Sequence, residues 1–134
     1  MELDDALAFV AENDRTVLAT HRRDGSLQMS PVNAGVLDGR LVVSSRNGLA
    51  KVANIRRDPA VSMLVFTDAF FGPWVQVDGQ AEIVGQPEAL DLLDAVYRSI
   101  AGEHPNWAEY RAAMIADRRV VIRISPDRAS GQLG

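Results

Sequence analysis

Lys51 is the only lysine among the 14 basic residues of this chain, and it lies in the stretch Ser44-Ser45-Arg46-Asn47-Gly48-Leu49-Ala50-Lys51. Hydroxyls, a turn and a helix start follow one another there. The first turn of a helix carries main-chain N–H groups without intrahelical partners, and these favour an anion. With Ser44, Ser45 and Arg46 just ahead and Lys51 inside the first turn, the spacing makes a phosphate clasp. The same cations, with Arg56 and Arg57 at the far end of the helix dipole, also suit a solvated helix face. Both readings stand on the residues alone. A second segment, Leu27-Gln28-Met29-Ser30-Pro31-Val32, alternates apolar and polar residues around a proline that cannot donate to a ladder. It reads as an edge or bulged strand whose free main-chain groups could meet the rim of a flat heterocycle. In a third, Phe66, Phe70, Phe71 and Trp74 cluster in one short stretch, which suits a ligand cover or a subunit interface.

Other chemistries find no support. His21 and His104 lie in different elements with no carboxylate or cysteine at ligand spacing, so no metal site is expected. There is no cysteine, which excludes disulfides, thiolate metal sites and a thiol nucleophile. Nucleophile elbow, Walker loop and dinucleotide glycine fingerprint are all missing. Catalysis by this chain would therefore have to be carried by a cofactor, with no catalytic side chain expected. The net charge of −4 provides no global attraction for nucleic acid or an anionic membrane. No leader and no apolar run long enough to span a bilayer is visible, so a cytoplasmic protein is expected.

These segments need a scaffold. At 134 residues and 47% hydrophobic, the chain suits one domain with a genuine core, expected to run over 1–134. Leu3, Ala6, Leu7 and Val10 predict a helix over about 3–13. Asp24-Gly25 and Asp38-Gly39 predict hairpin turns, so the chain should open as a three-strand meander. A short helix ends at Asp58-Pro59, and "AVSMLVF" reads as a buried strand. "PWVQVDGQAEIVG" reads as a long strand or a bent pair, interrupted at Asp78-Gly79. A helical insertion is expected over about 87–117. Its first helix carries the stripe Leu90, Leu93, Tyr97 and Ile100 and exits at Gly102; the second starts with an Asn106/Glu109 capping box. "RRVVIRIS" is a final strand, and about 126–134 reads as a polar tail. Six or seven antiparallel strands with two or three peripheral helices predict a mainly β (α+β) split or nearly closed barrel.

In this order the pieces resemble the flavin- and deazaflavin-binding split β-barrel superfamily that includes pyridoxamine phosphate oxidase. The resemblance is closest to its actinobacterial branch, the B class of coenzyme F420-dependent oxidoreductases. The residues that carry it are "VLATHRRDGSLQMSPV", "AKVANIRRDPAVSMLV" and "YRSIAGEHPNWAEYRAAMIADRRVVI". The resemblance implies an obligate homodimer with cofactor sites at its interface. It implies the 8-hydroxy-5-deazaflavin coenzyme F420, with FMN as the alternative, its phosphate near Lys51 and Ser45. Gln28, Met29, Ser30, Pro31 and Val32 would follow the ring edge, while Asn54 and Arg46 would serve the phosphate or the oligoglutamate tail. Trp74 of the partner subunit would lie near the ring or substrate, and Arg118 and Arg119 would make cross-dimer contacts. Leu49 departs from the pattern, since close relatives can carry a basic residue there. The implied activity is hydride transfer to an electron-poor double bond of an enone, a quinone or a tetrapyrrole-like molecule. A carrier that only binds the cofactor is the remaining alternative.

Overall fold

Two turns organise the first half of the chain, whose computed structural model describes residues 1–134. Asp38 and Gly39 both have positive φ (51° and 73°), the geometry that twists two strands together through a two-residue loop. They join β3 (Gly35–Leu37) to β4 (Arg40–Arg46). The longer turn between β1 (Arg15–His21) and β2 (Leu27–Asn33) is held by the Asp24 carboxylate, which accepts from the Ser26 N–H (3.0 Å) and hydroxyl (2.6 Å). Completing the sheet are β5 (Ala60–Phe66), β6 (Trp74–Val84) and β7 (Arg119–Gln132). The helices are α1 (Leu3–Glu12), α2 (Ala50–Arg57), α3 (Ala89–Ala101) and α4 (Trp107–Ala116), four where two or three were expected.

All seven strands are antiparallel neighbours in one sheet, ordered β2-β1-β5-β6-β7-β4-β3. The two edge strands, β2 and β3, are consecutive in the chain and separated only by Ala34. The sheet must therefore curl until its edges meet, producing a barrel split along β2. The expected three-strand meander is corrected here: β2 pairs with β1 and not with β3, because the chain crosses the split at Ala34. The tail is corrected too. Residues from Pro126 to Gln132 continue β7 and pair with β6, their polar side chains lying beyond the core on a solvated stretch of ladder.

Alternation along the strands creates two cores. Inside the barrel, Leu18, Leu41, Val43, Met63, Val65, Val75, Ile122 and Ile124 pack with Ala6 and Val10 of α1 and with Val52 and Ile55 of α2. On the outer face, Val42 and Val121 pack against Ala89, Leu93 and Val96 of α3. Fully burying one such Leu or Ile side chain contributes about 1.5–3 kcal/mol, so α1 and α2 are held by what they plug. Helix α3 approaches closely because Gly35 has no side chain: a Cβ there would run into the Ser99 hydroxyl. β6 is one strand with a register shift at Asp78/Gly79, where a Cβ on Gly79 would strike the Ser125 carbonyl. The Asn106 side chain caps α4 by accepting from the Glu109 N–H (3.1 Å). The reciprocal half of the box is replaced, since the Asn106 N–H donates to His104 Nδ1 (2.9 Å).

Candidate functional site

The split runs along β2, so one side of that strand has no neighbour, and every second residue turns its main-chain N–H and C=O away from β1. Alternation sends Gln28, Ser30 and Val32 inward and leaves Leu27, Met29, Pro31 and Asn33 exposed. Val32 packs against the barrel core, and Met29 is 61% exposed. The Ser30 hydroxyl is buried and has no hydrogen-bond partner. Such a group costs about 1–3 kcal/mol unless something satisfies it.

A polar chain links β2 to α2 through a residue that sequence reasoning missed. Asn54 Nδ2 donates to Thr20 Oγ1 (3.1 Å), and Thr20 Oγ1 in turn donates to Gln28 Oε1 (3.3 Å). Arg57 closes the chain from outside, donating to Asn54 Oδ1 (3.1 Å) and to the His21 carbonyl (2.6 Å). Thr20 is fully buried, and its inward place follows from the alternation Thr16, Leu18, Thr20 along β1. Asn54 is buried and committed to this chain, so it positions α2 against β1 and β2.

The two serines of the expected clasp are not brought together. Neighbours on β4, they point to opposite faces: Ser45 is buried toward the barrel and its hydroxyl donates to the Arg46 carbonyl (3.2 Å). Ser44 lies on the outer face with Arg46, Arg119 and Val121, to which β4–β7 register ties it. The basic residues do converge. Arg46 sits directly opposite Arg119, a like-charge pair that is unfavourable across strands. A cleft of about 320 Å³ beside them is lined by Asn47, Arg56, Gln86, Arg118 and Arg119, without one acidic side chain. Arg118 holds a left-handed backbone (φ 53°), with its carbonyl accepting from the Asn47 N–H (3.0 Å).

Lys51 belongs to this cluster. Partial burial, then repulsion from Arg119, lowers the pKa of its ammonium. Neither Lys51 nor Arg46, Arg56 or Arg118 has a carboxylate partner; Asp117 reaches only Arg119, at 3.8 Å. The Arg119 Nε atom is buried and unbonded. Five cations with one distant anion cost the folded chain electrostatic free energy, and a bound anion would return it.

The aromatic stretch lies elsewhere on the barrel. Phe66 stands opposite Trp74 across β5 and β6, and Phe66, Phe70 and Phe71 stack edge to face at 6.3 and 5.2 Å between centroids. Phe71 is 98% exposed, and Trp74 is also exposed. Phe66 lines a cleft with Pro31, Val32 and Asn33 at the end of β2, whereas Phe70, Phe71 and Trp74 do not line it. No group of three or more His, Asp or Glu is arranged to hold a metal ion, and no helix is long and apolar enough to cross a membrane.

Comparison with known proteins fits this geometry. The family model described as pyridoxamine 5'-phosphate oxidase matches residues 3–132. The chain belongs to that family. Among solved structures, a conserved hypothetical protein of Mycobacterium tuberculosis is 27% identical with a TM-score of 0.78, over 99% of this chain and 85% of that one. A protein named F420 reductase is 24% identical with a TM-score of 0.70, over 92% and 94% of the two chains. An FAD-binding protein from Mesorhizobium loti is 21% identical with a TM-score of 0.70, over 100% and 96%. The last two likenesses are those of fold. The split barrel of the pyridoxamine 5'-phosphate oxidase family is thus common to this chain and to proteins named for flavin and deazaflavin ligands.

The residues present fit a phosphate-bearing, flat-ringed cofactor on two observations. Ser30 offers an unsatisfied buried hydroxyl at the free edge of β2, and Lys51 with its arginine neighbours offers unpaired positive charge at the start of α2.

Proposed function

We propose that this protein is a coenzyme F420-dependent reductase that acts as a homodimer. The observation that carries the reading is Lys51, a partly buried cation near Arg119 and without a carboxylate partner, together with the unpaired buried hydroxyl of Ser30 on the edge strand β2. Lys51 and the first-turn N–H groups of α2 would hold the cofactor phosphate. Arg46, Arg56 and Arg118 would take the carboxylates of its tail, a role that does not need a basic residue at Leu49. Main chain of Met29 to Val32 would align the ring rim, and Gln28 is fixed for this by Thr20 and Asn54. When bound, the reduced deazaflavin supplies a hydride to an electron-poor double bond of a small organic acceptor. The protein's part is orientation and exclusion of water. The fold likeness to a protein named F420 reductase adds support.

The dimer reading rests on the outer face of β2, β1, β5 and β6. Pro31, Val17 and Leu64 lie side by side there by register, Phe66 and Trp74 follow, and no helix covers them. Met29, Leu64 and Trp74 are exposed on this face, an apolar patch suited to a second copy. Face-to-face pairing would bring Trp74 of the partner subunit toward β2 of the first.

Three measurements test the proposal. The purified protein should bind deazaflavin more tightly than FMN; FMN that copurifies at unit stoichiometry would replace the deazaflavin reading with the flavin one. Reduced deazaflavin should be oxidised with at least one enone, quinone or biliverdin acceptor, whereas binding without turnover on all of them would make this a carrier. Light scattering at micromolar concentration should report a dimer, and a monomer would remove the shared site.

A further inference from the structure

A second cleft lies on the other side of Arg119. It occupies about 310 Å³ between the helical insertion and the outer face of β4, and its walls are mostly apolar: Tyr97 and Ile100 of α3, Tyr110 and Met114 of α4. Ser44 and Arg119 form its floor, and Asn33, the residue after Val32, stands at its rim. The cleft beside Arg56 and Arg118 is lined mainly by polar residues; this one combines two tyrosine rings with a single cation. The Tyr110 hydroxyl donates to the Leu93 carbonyl (3.2 Å), so its ring is fixed and its polar end is spent. Tyr97 packs edge to face on Tyr110 (5.1 Å), and both contact Trp107 (5.8 and 5.6 Å), which stiffens the wall. The buried Nε of Arg119 has no hydrogen-bond acceptor, the Asp117 carboxylate standing 3.8 Å away.

We propose that this cleft is the acceptor site: it binds a flat, apolar molecule of one or two rings whose anionic or carbonyl oxygen meets Arg119 and the Ser44 hydroxyl. The inference rests on the reductase reading and narrows it. Pockets for small ligands span about 300–1,000 Å³, and this one is at the lower end. Mono- and bicyclic enones and quinones fit, and an open tetrapyrrole of four rings does not. Its position suits the role, since Arg119 lines both this cleft and that of the cation cluster, and Asn33 is the last residue of β2. Aromatic walls favour flat unsaturated rings, and the lone guanidinium fixes which end enters.

The test uses full-length protein without cofactor, titrated by calorimetry with 2-naphthoate and, separately, with its uncharged relative 2-acetonaphthone. Both should bind, the anion more tightly. Arg119→Gln should weaken naphthoate by about tenfold or more, the loss expected for one charged hydrogen bond, and change the ketone far less. Ala101→Phe, which fills the cleft from an exposed position at the end of α3, should abolish both while far-UV circular dichroism stays unchanged. Failure of either probe to bind wild type at millimolar concentration, or binding that survives Ala101→Phe, overturns the proposal. Deazaflavin titrated into Ala101→Phe should bind as to wild type. If wild type binds naphthoate but no deazaflavin, the cofactor reading fails and the cleft stands.

Discussion

Replacing Lys51 with alanine separates two roles of the same charge. In the cofactor-free protein Lys51 has no anionic partner, and burial and Arg119 both act against its protonated form. Its removal should therefore leave stability without cofactor unchanged or slightly raised. With cofactor, one charged hydrogen bond to phosphate is lost, worth about 1.5–3 kcal/mol, which corresponds to roughly a tenfold to 150-fold weaker Kd. The neighbouring arginines should keep the loss from being larger. The assay is a fluorescence titration of deazaflavin into Lys51→Ala and wild type, paired with thermal unfolding of both without cofactor. The pH dependence has a definite sign. Because the folded pKa is lowered, the free ammonium begins to lose its proton below the usual lysine value of 10.5. An anion binds the protonated form, so affinity should fall as pH rises through that lowered pKa, and this dependence should vanish in Lys51→Ala. Unchanged Kd together with a lower unfolding temperature would mean that Lys51 serves only the fold, and the phosphate argument would collapse.

Thr20→Val would leave Asn54 without its hydroxyl acceptor and Gln28 without its donor; a loss of about 1–3 kcal/mol is expected in urea unfolding, with weaker cofactor binding as β2 loosens. Gly79→Ala should cost a similar about 1–3 kcal/mol, because the added methyl meets the Ser125 carbonyl; denaturant midpoints comparable to wild type would show that the bulge can relax. The Asp78 carboxyl is held down to about 2, first by the Ser62 hydroxyl and then by Arg128 and Gln76. Its contribution is present above the ordinary value of 3.8 and is lost as pH falls toward 2, so Asp78→Asn should flatten the stability profile in that window. Leu64→Glu, on the uncovered face of β5, should yield a monomer by light scattering, and an intact dimer would move the interface elsewhere.

Local chemistry made much of this fold legible. The Asp38-Gly39 turn, the Gly102 exit of α3 and the Asn106 cap are each dictated by one or two residues, and each forms where the sequence predicts it. Which strands pair across the sheet is set by non-local packing, so the separation of β2 from β3 could not be read from hairpin signals. The polar half of β7 was hidden for a different reason: ladder hydrogen bonds hold it, and they leave no mark on hydropathy. The β2 edge and the charge at Lys51 were visible as residue types. That Ser44 and Ser45 face opposite ways follows from the two-residue period of a strand, and the same period would have revealed Thr20. The convergence of Arg46, Arg56, Arg118 and Arg119 needed the fold, because β4, α2, the turn after α4 and β7 each supply one.

The position of β7 bears on how the barrel is made. It is the last element in chain order, yet it lies in the interior of the sheet, between β6 and β4. The β3–β4 hairpin joins the other strands only through β7, with Leu41 paired to Ile124 and Arg46 to Arg119. Until residues 119–132 dock, the hairpin has no place in the sheet and Arg46 and Arg119 are far apart. Pairings this distant in sequence slow folding, because the intervening loop must be closed before they give anything back. Docking of β7 is therefore also the step that assembles the cation cluster, so a polyanion present during refolding should accelerate it by screening the charges that β7 must bring together.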